Sequence, residues 1–546
     1  MRVGATAAGS GGIRPTAGKV LGMNNGTATS PAPDRSTAML VIAGLVAGAV
    51  AVAMTGGCAP RIANLNLDPL AASGSDAAGR QEWAYDVDGD RRIDFVEVDR
   101  DGDGVVDVYY FDTDGDGHYD DVTGPAALEV GDTTAARTFI FFVDGVPQRD
   151  LVEMWDEGYF REFHRPAALI SPFPSMTYLS FSQMLGTGKP PGYEERYFDT
   201  AANALAGGIA DHLRADEGHD VTDESFLRIF GYKQPAIYSG LVYIITHYAA
   251  RKDLANAVAY FDSSAANLAI AYMGTTDGVA HKLGQEGIRE ILIDIDRILR
   301  ELIFEHRGRL RIVFASDHGN NYVPSTRIDL GDALQPYGFR LGDAIEDSAS
   351  VVIPSFGLVG FAAAYLEERR ETEFASAAVR IPGVDLAVYE TDGVAKVAAA
   401  HGRGTARILH DPAANRYAYI PVTGDPLDLH EVVAVLDRSG RLDADGYASD
   451  ADWFELTRDH RYTDAVRRVH EAATNQVENR ANVLLSFDEP FFYGSRLFDL
   501  IVDLAGTHGN LAAPSTLGFV MCNYLEPPAF LRTTAMRRCL ALPPPR

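Results

Sequence analysis

Cysteine is scarce. Three occur among 546 residues, Cys58, Cys522 and Cys539, and no Cys-x-x-Cys pair is present. This excludes a zinc ribbon and a thioredoxin-like redox centre. Cys522 and Cys539 either join in a disulfide in an exported chain or stay as two free thiols, and their spacing does not choose. Positive charge is also short: 48 Lys and Arg stand against 76 Asp and Glu, a formal net charge of −28. A surface of that sign repels polyanions, so no nucleic acid polymer is expected as a partner. Apolar residues are not short. At 46% of the chain they suffice for a full core, and the length suits one large domain with attachments.

The one long apolar run outside this domain lies near the start. Residues 1–37 are rich in Gly, Ala, Thr and Pro without periodicity. They read as a disordered leader or as sequence upstream of the true start. Residues 38–54 (AMLVIAGLVAGAVAVAM) follow without a polar side chain. That length is marginal for a spanning helix and suits a signal-peptide core, with Arg35 as its positive flank. The run ends in Thr55-Gly56-Gly57-Cys58-Ala59-Pro60. Small residues before a Cys resemble the lipobox of bacterial lipoproteins, with Thr55 standing where that pattern carries Leu or Val. The resemblance implies cleavage and lipidation at Cys58. The alternatives are an uncleaved membrane anchor and a plain signal peptide. All three imply export to the cell envelope or periplasm, and the first two imply membrane association through the N-terminus. Residues 1–58 are thus leader and signal, and 59–85 a linker.

An acidic repeat with a 13-residue period fills residues 86–123. Its units carry Asp86, Asp88, Asp90 and Asp94; Asp99, Asp101, Asp103 and Asp107; and Asp112, Asp114, Asp116 and Asp120. These are positions 1, 3, 5 and 9 of an EF-hand-like calcium loop, and Glu97 takes position 12 in the first unit. Tyr110 and Thr123 stand at position 12 in the others. Gly104 and Gly117 take position 6, where the loop turns sharply; Arg91 stands there in the first unit. Calcium needs six to eight oxygens, and alternating Asp residues wrap carboxylates around one point. The short period leaves no room for flanking helices. The segment therefore resembles thrombospondin type 3 or dockerin-like repeats, which implies structural Ca2+. The alternative is a solvated acidic spacer.

From about Arg137 the pattern becomes strands alternating with helices. Residues 139–143 (FIFFV), 267–273 (NLAIAYM) and 310–315 (LRIVFA) are apolar runs of the kind that form buried parallel strands. Ile288, Ile291, Leu292, Ile295, Leu299 and Leu302 form the stripe of an amphipathic helix, with Gly308 beyond its end. This order predicts an α/β domain over residues 135–530, a doubly wound, mostly parallel sheet with helices on both faces. Residues 350–500 carry no recognised ligand and read as a cap or insertion, with strand patterns at 383–386 and 417–420.

Each apolar run is followed by an Asp: Asp144 in Val143-Asp144-Gly145, Asp277 in Thr276-Asp277-Gly278-Val279-Ala280-His281, and Asp317 in Ser316-Asp317-His318-Gly319. Ligand sites in open α/β sheets lie at the carboxyl ends of strands. Three carboxylates converging there repel one another unless cations intervene, and a mixture of Asp with His281 and His318 suits zinc. Thr177 lies in Phe173-Pro174-Ser175-Met176-Thr177-Tyr178-Leu179-Ser180, before a helical pattern at 181–188. A Thr there is ordinarily an N-cap. Beside metals its oxygen can act as a nucleophile, and the first N–H groups of the helix can bind phosphate. His508 follows in Ala505-Gly506-Thr507-His508-Gly509-Asn510.

In this order the motifs resemble the alkaline phosphatase superfamily, in particular its type I phosphodiesterase and nucleotide pyrophosphatase branch. The pattern is strand then Asp-Gly, Pro-x-x-Thr before a helix, Asp-x-x-x-His, Asp-His-Gly and a last His-Gly, met here over residues 138 to about 521. The resemblance implies an alkaline-phosphatase-like fold and two catalytic Zn2+. One would be held by Asp277, His281 and His508, the other by Asp144, Asp317, His318 and the Thr177 oxygen. It further implies a small phosphorylated substrate, in-line attack by Thr177, a covalent phosphothreonine and its hydrolysis. Tyr178 and Ser180 are the expected phosphate-binding residues. The branch often has Asn where Ser180 stands, and a His-Gly where this chain reads Lys189-Pro190-Pro191-Gly192-Tyr193-Glu194. No C/S-x-P-x-R motif lies near Thr177 and no Arg follows it closely. This sets sulfatase chemistry aside and leans toward diesters. The alternatives are a phosphomonoesterase or phosphonate hydrolase, a phospho-headgroup transferase of the same fold and, in another class, a non-enzymatic calcium-stabilised surface protein.

Overall fold

The computed structural model describes residues 65–73, 79–128, 137–208, 225–474, 476–495 and 503–539. The leader, the apolar run at 38–54 and Cys58 lie outside the described residues.

The domain is built on the strand Arg137–Val143. Its side chains alternate between two cores. Phe139, Phe141 and Val143 pack with Ile288, Ile291 and Ile295 of the helix Thr275–Glu305. Ile140 and Phe142 pack with Phe181 and Met184 of the helix Thr177–Leu185. The two-residue period of a strand thus brings helices to both faces. Leu268–Met273 and Leu310–Ser316 flank it, both parallel to it. Among the described residues the sheet has seven strands, in the order Tyr232–Lys233, Leu268–Met273, Arg137–Val143, Leu310–Ser316, Leu517–Cys522, Ala167–Ile170 and Phe530–Arg532. Leu517–Cys522 alone runs antiparallel to its neighbours. This is the doubly wound, mostly parallel α/β sheet that the pattern predicts.

The region expected to be a cap contains a second, nine-stranded sheet that runs from Arg340–Leu341 to Val483–Phe487 in the chain. Its strand pairs are antiparallel except the first, Arg340–Leu341 with Ser350–Val352. Val384–Thr391 and Arg416–Gly424 are among its strands. The core on one of its faces takes in Phe173, Met176 and Leu179, so this sheet buttresses the segment around Thr177.

Residues 59–85, expected to be a linker, contribute strands instead. Ala71–Ser73 and Gln81–Tyr85 open a five-stranded antiparallel sheet completed by Phe95–Asp99, Val108–Phe111 and Asp121–Thr123. The acidic loops are the turns of this sheet. Its apolar face is aromatic: Phe95 stacks on Tyr85 at 5.2 Å and on Phe111 at 5.0 Å. Phe304, near the end of the helix Thr275–Glu305, meets Phe95 edge-on at 5.4 Å. The repeat sheet and the α/β domain therefore share one core.

Glu97, expected as a calcium ligand, serves this junction. It is fully buried and accepts hydrogen bonds from Tyr85 Oη at 2.6 Å and Arg161 Nε at 3.0 Å. Position 12 of the first unit falls two residues after Phe95, on the same face of the strand, and that face turns toward the long helix. There Arg300 donates to Glu162 at 2.6 Å and to Asp296 at 3.2 Å. Glu97 is thus part of a buried ionic cluster and is not grouped with the loop carboxylates.

Candidate active site

The carboxyl ends of the parallel strands deliver the acidic residues. Asp144 directly follows Arg137–Val143, and Asp317 and His318 follow Leu310–Ser316. Asp277 and His281 lie in the first turns of the helix Thr275–Glu305, which enters from Leu268–Met273. Their i, i+4 spacing puts both on one face, and their atoms Oδ2 and Nε2 are 3.1 Å apart. The helix then breaks at Gly284, whose φ of 64° and ψ of −152° no side-chain-bearing residue adopts readily. His508 arrives on the loop before Leu517–Cys522, its Nε2 3.6 Å from Asp277 Oδ1.

Two three-residue groups result, Asp277 with His281 and His508, and Asp144 with Asp317 and His318. In each the potential ligand atoms lie within 4.8 Å of one another. Thr177 Oγ1 stands beside the second group, 3.4 Å from Asp144 Oδ1 and 3.4 Å from His318 Nε2. Thr177 is the first residue of its helix. Met176, with φ −129°, takes the N-cap position without a side-chain bond. The hydroxyl is therefore not spent on capping.

Each imidazole is aimed by its other nitrogen. Nδ1 of His281 meets the Gly506 carbonyl at 2.8 Å, that of His318 the Gly319 carbonyl at 2.9 Å, and that of His508 the Ser175 carbonyl at 3.0 Å. A carbonyl requires Nδ1 to carry the proton, which leaves an Nε2 lone pair facing the site. Asp144 is held likewise: Tyr272 donates to its Oδ2 and Thr276 Oγ1 bonds its backbone. Sequence patterns gave no signal for Tyr272, Thr276 or the Ser175 carbonyl. Nothing local marks a strand tyrosine or a loop carbonyl as a partner of a distant ligand.

Burial, and then the neighbouring Asp317 and Asp277, push Asp144 well above the ordinary carboxylate range. Burial pushes Asp317 up to about 7. Burial also opposes ionisation of Asp277, but His281 and His508 beside it hold it below the ordinary range. Burial and the adjacent His318 push His508 down to about 3; the two rings stack at 3.9 Å. Two buried carboxylate oxygens, Asp277 Oδ1 and Asp317 Oδ2, have no hydrogen-bond partner. Burial also opposes protonation of His281, but Asp277 beside it raises it above the ordinary imidazole range; a mixture of Asp and His donors with spare carboxylate oxygens fits divalent cations.

Of the expected phosphate-binding residues, Tyr178 turns its ring edge-on to Phe226 at 5.2 Å. Ser180 is fully buried and its hydroxyl has no hydrogen-bond partner. Cys522 is a buried, free thiol, and the side chain of Cys539 lies outside the described residues.

In the acidic loops three triads form: Asp86, Asp88 and Asp90; Asp99, Asp101 and Asp107; Asp112, Asp114 and Asp116. The first Asp of each unit accepts from the N–H at positions 4 and 6, as Asp99 does from Gly102 at 2.7 Å and Gly104 at 2.9 Å. Position 6 is left-handed in all three units, with φ of 73° at Arg91, 89° at Gly104 and 88° at Gly117. Arg91 thus adopts a conformation that costs a side-chain-bearing residue more than glycine. Asp94, Asp103 and Asp120 lie outside the triads. They accept from Val87 N–H at 2.6 Å, Val105 N–H at 2.8 Å and Thr113 Oγ1 at 2.7 Å respectively.

No protein-family model and no curated protein matches the chain. Solved structures similar to it include phosphonoacetate hydrolase from Sinorhizobium meliloti in complex with phosphonoacetate, at 14% identity and a TM-score of 0.40 over 74% of this chain and 94% of that one. Human ectonucleotide pyrophosphatase/phosphodiesterase 5 is similar at 12% identity and a TM-score of 0.40, with the same coverage. Its murine counterpart is similar at 12% identity and a TM-score of 0.38, over 75% and 96% of the two chains.

Proposed function

We propose that this chain is an exported, two-zinc hydrolase of phosphate esters, with Thr177 as nucleophile and phosphodiesters as substrate class. The observation that carries the reading is the position of Thr177 Oγ1. It stands at the start of a helix, 3.4 Å from both Asp144 and His318 and free of a capping role. Asp277, His281 and His508 would hold one zinc, and Asp144, Asp317, His318 and the Thr177 oxygen the other. Bound there, the metals supply Lewis acidity that eases loss of the Thr177 proton and the build-up of charge on the leaving oxygen.

The chain's own groups do the rest. Thr177 Oγ1 forms a bond to phosphorus as the bond to the leaving oxygen breaks; the hydroxyl proton passes to solvent, and the departing alkoxide takes a proton from solvent to leave as the alcohol. The first N–H groups of the helix Thr177–Leu185, which a helix cannot use internally, are suited to the non-bridging oxygens. Tyr178 belongs to this turn; the Ser180 N–H already bonds the Met176 carbonyl at 2.9 Å, so Ser180 would act only through its unpartnered hydroxyl. Water then cleaves the phosphothreonine, which restores the hydroxyl and releases the phosphomonoester. The carbonyls of Gly506, Gly319 and Ser175 keep the three imidazoles in one tautomer throughout.

Two attachments complete the reading. The acidic loops hold structural Ca2+ at the three Asp triads. Lipidation at Cys58 places the enzyme on a membrane of the cell envelope. No helix among the described residues is long and apolar enough to cross a membrane.

The test is turnover of bis-p-nitrophenyl phosphate and p-nitrophenyl phosphate by the chain from Ala59 onward, with and without zinc, beside Thr177→Ala. The expected result is zinc-dependent turnover, faster on the diester, that disappears in the variant. Unchanged turnover in Thr177→Ala overturns the nucleophile assignment.

A further inference from the structure

Tyr272 is the last residue but one of the strand Leu268–Met273. The two-residue period of that strand puts Ala269, Ala271 and Met273 in the core with Ile288 and Ile291, and turns Leu268, Ile270 and Tyr272 toward the helix Thr177–Leu185. There the Tyr272 ring meets Phe181 edge-on at 5.0 Å and stacks on Phe230 at 5.3 Å. Phe181 lies four residues after Thr177, on the same face of the helix. The far end of the ring carries the hydroxyl that donates to Asp144 Oδ2. It sits against the backbone at Gly274, where a Cβ would lie only 3.1 Å from Tyr272 Oη. One side chain thus touches both the nucleophile helix and the carboxylate beside the nucleophile.

The two oxygens of Asp144 have different neighbours. Oδ1 lies 3.4 Å from Thr177 Oγ1 and 3.4 Å from His318 Nε2. Oδ2 is taken up by Tyr272. An ionised carboxylate only accepts, so the phenol is the donor. A carboxylate with both oxygens open can offer one or both to a cation, whereas a hydroxyl on one oxygen leaves the other to serve alone. Zinc ordinarily takes four ligands. Asp144, Asp317, His318 and the Thr177 oxygen already make four, so a second oxygen from Asp144 would compete with Thr177 for its place.

We propose that Tyr272 is a positioning residue: it restricts Asp144 to Oδ1 as a metal ligand and so reserves a place for the Thr177 oxygen. This rests on the two-metal reading above.

The test is Tyr272→Phe in the full chain, which keeps the ring and its packing and loses the hydroxyl. The variant is expected to melt cooperatively and to hold two zinc ions. Its kcat on the diester is expected to fall about 10- to 100-fold with little change in KM. Zinc affinity, measured by competition with a chelator, gives a readout independent of turnover. Thr177→Ala is expected to weaken zinc binding by about tenfold in the parent chain and to have little further effect in Tyr272→Phe, where Asp144 fills the place instead; the two substitutions are then non-additive. Two bound zinc ions with equal losses in both backgrounds, or unchanged kcat in Tyr272→Phe, would overturn the role of Tyr272 alone. Loss of cooperative melting in Tyr272→Phe would make the residue structural and also overturn it. A parent chain that binds no zinc overturns the two-metal reading and this inference with it.

Discussion

His508 and Ser175 are 333 residues apart in the chain, yet the imidazole Nδ1 of one lies 3.0 Å from the carbonyl oxygen of the other. The contact ties the last ligand loop to the segment that leads into Thr177. A third residue bolts it. Arg468, 3% exposed, donates to the Ser175 hydroxyl at 3.3 Å, the Pro172 carbonyl at 3.2 Å, the Leu511 carbonyl at 3.2 Å and Thr516 Oγ1 at 2.8 Å.

Arg468 is therefore a positioning residue for both Thr177 and His508. Arg468→Met is expected to lower turnover of the diester by about 10- to 100-fold, the range typical of groups that orient metal ligands. Arg468→Lys offers a point charge in place of a planar fork and is expected to recover only part of it. Steady-state kcat and zinc content per chain, read together, separate lost orientation from lost metal.

The two ligand groups make separate predictions. Asp277→Asn and His508→Ala each weaken one group while leaving Asp144, Asp317 and His318 intact. Bound zinc, measured by atomic emission after dialysis, is expected to fall from two per chain to one. Retention of two in both variants would falsify the ligand assignment.

Glu194 makes stability depend on pH. Burial pushes its carboxyl up to about 8, and the Gly357 N–H on its Oε1 at 2.9 Å offsets only part of this. The folded value lies above the ordinary value of 4.5, so the folded state holds the proton more tightly. This contribution is present in full below about 4.5 and is lost as pH rises through about 8, with a size on the order of a few kcal/mol. Thermal melts of Glu194→Gln are expected to fall less between pH 6 and pH 9 than those of the parent chain.

The buried cluster at Glu97 makes the acidic loops matter to the whole domain. Arg161→Met leaves Glu97 without its nearest cation and is expected to destabilise the fold by about 3–5 kcal/mol. Because Phe95 and Phe304 share one core, chelation of calcium is expected to lower a single melting transition by several degrees. Two separate transitions would show the repeat sheet to be an independent unit.

The sequence by itself determined whatever depends on short spacing. Continuous apolar runs at 139–143 and 310–315 marked buried strands, and Asp144, Asp317 and His318 directly follow them, so their convergence at one edge of the sheet was legible. Asp277 and His281 are four residues apart, and helical periodicity alone puts them on one face. The acidic loops were legible for the same reason. Tertiary structure decided the rest, because partners distant in the chain are chosen by packing. It turned 71–73 and 81–85 from linker into strand, since Tyr85 and Phe95 find an aromatic core only once the long helix is in place. It drew Glu97 away from the loop carboxylates to Arg161. It put Met176 at the N-cap and left the Thr177 hydroxyl for Asp144 and His318. A local pattern records periodicity and turn chemistry. Which faces meet is settled by burial across the whole chain.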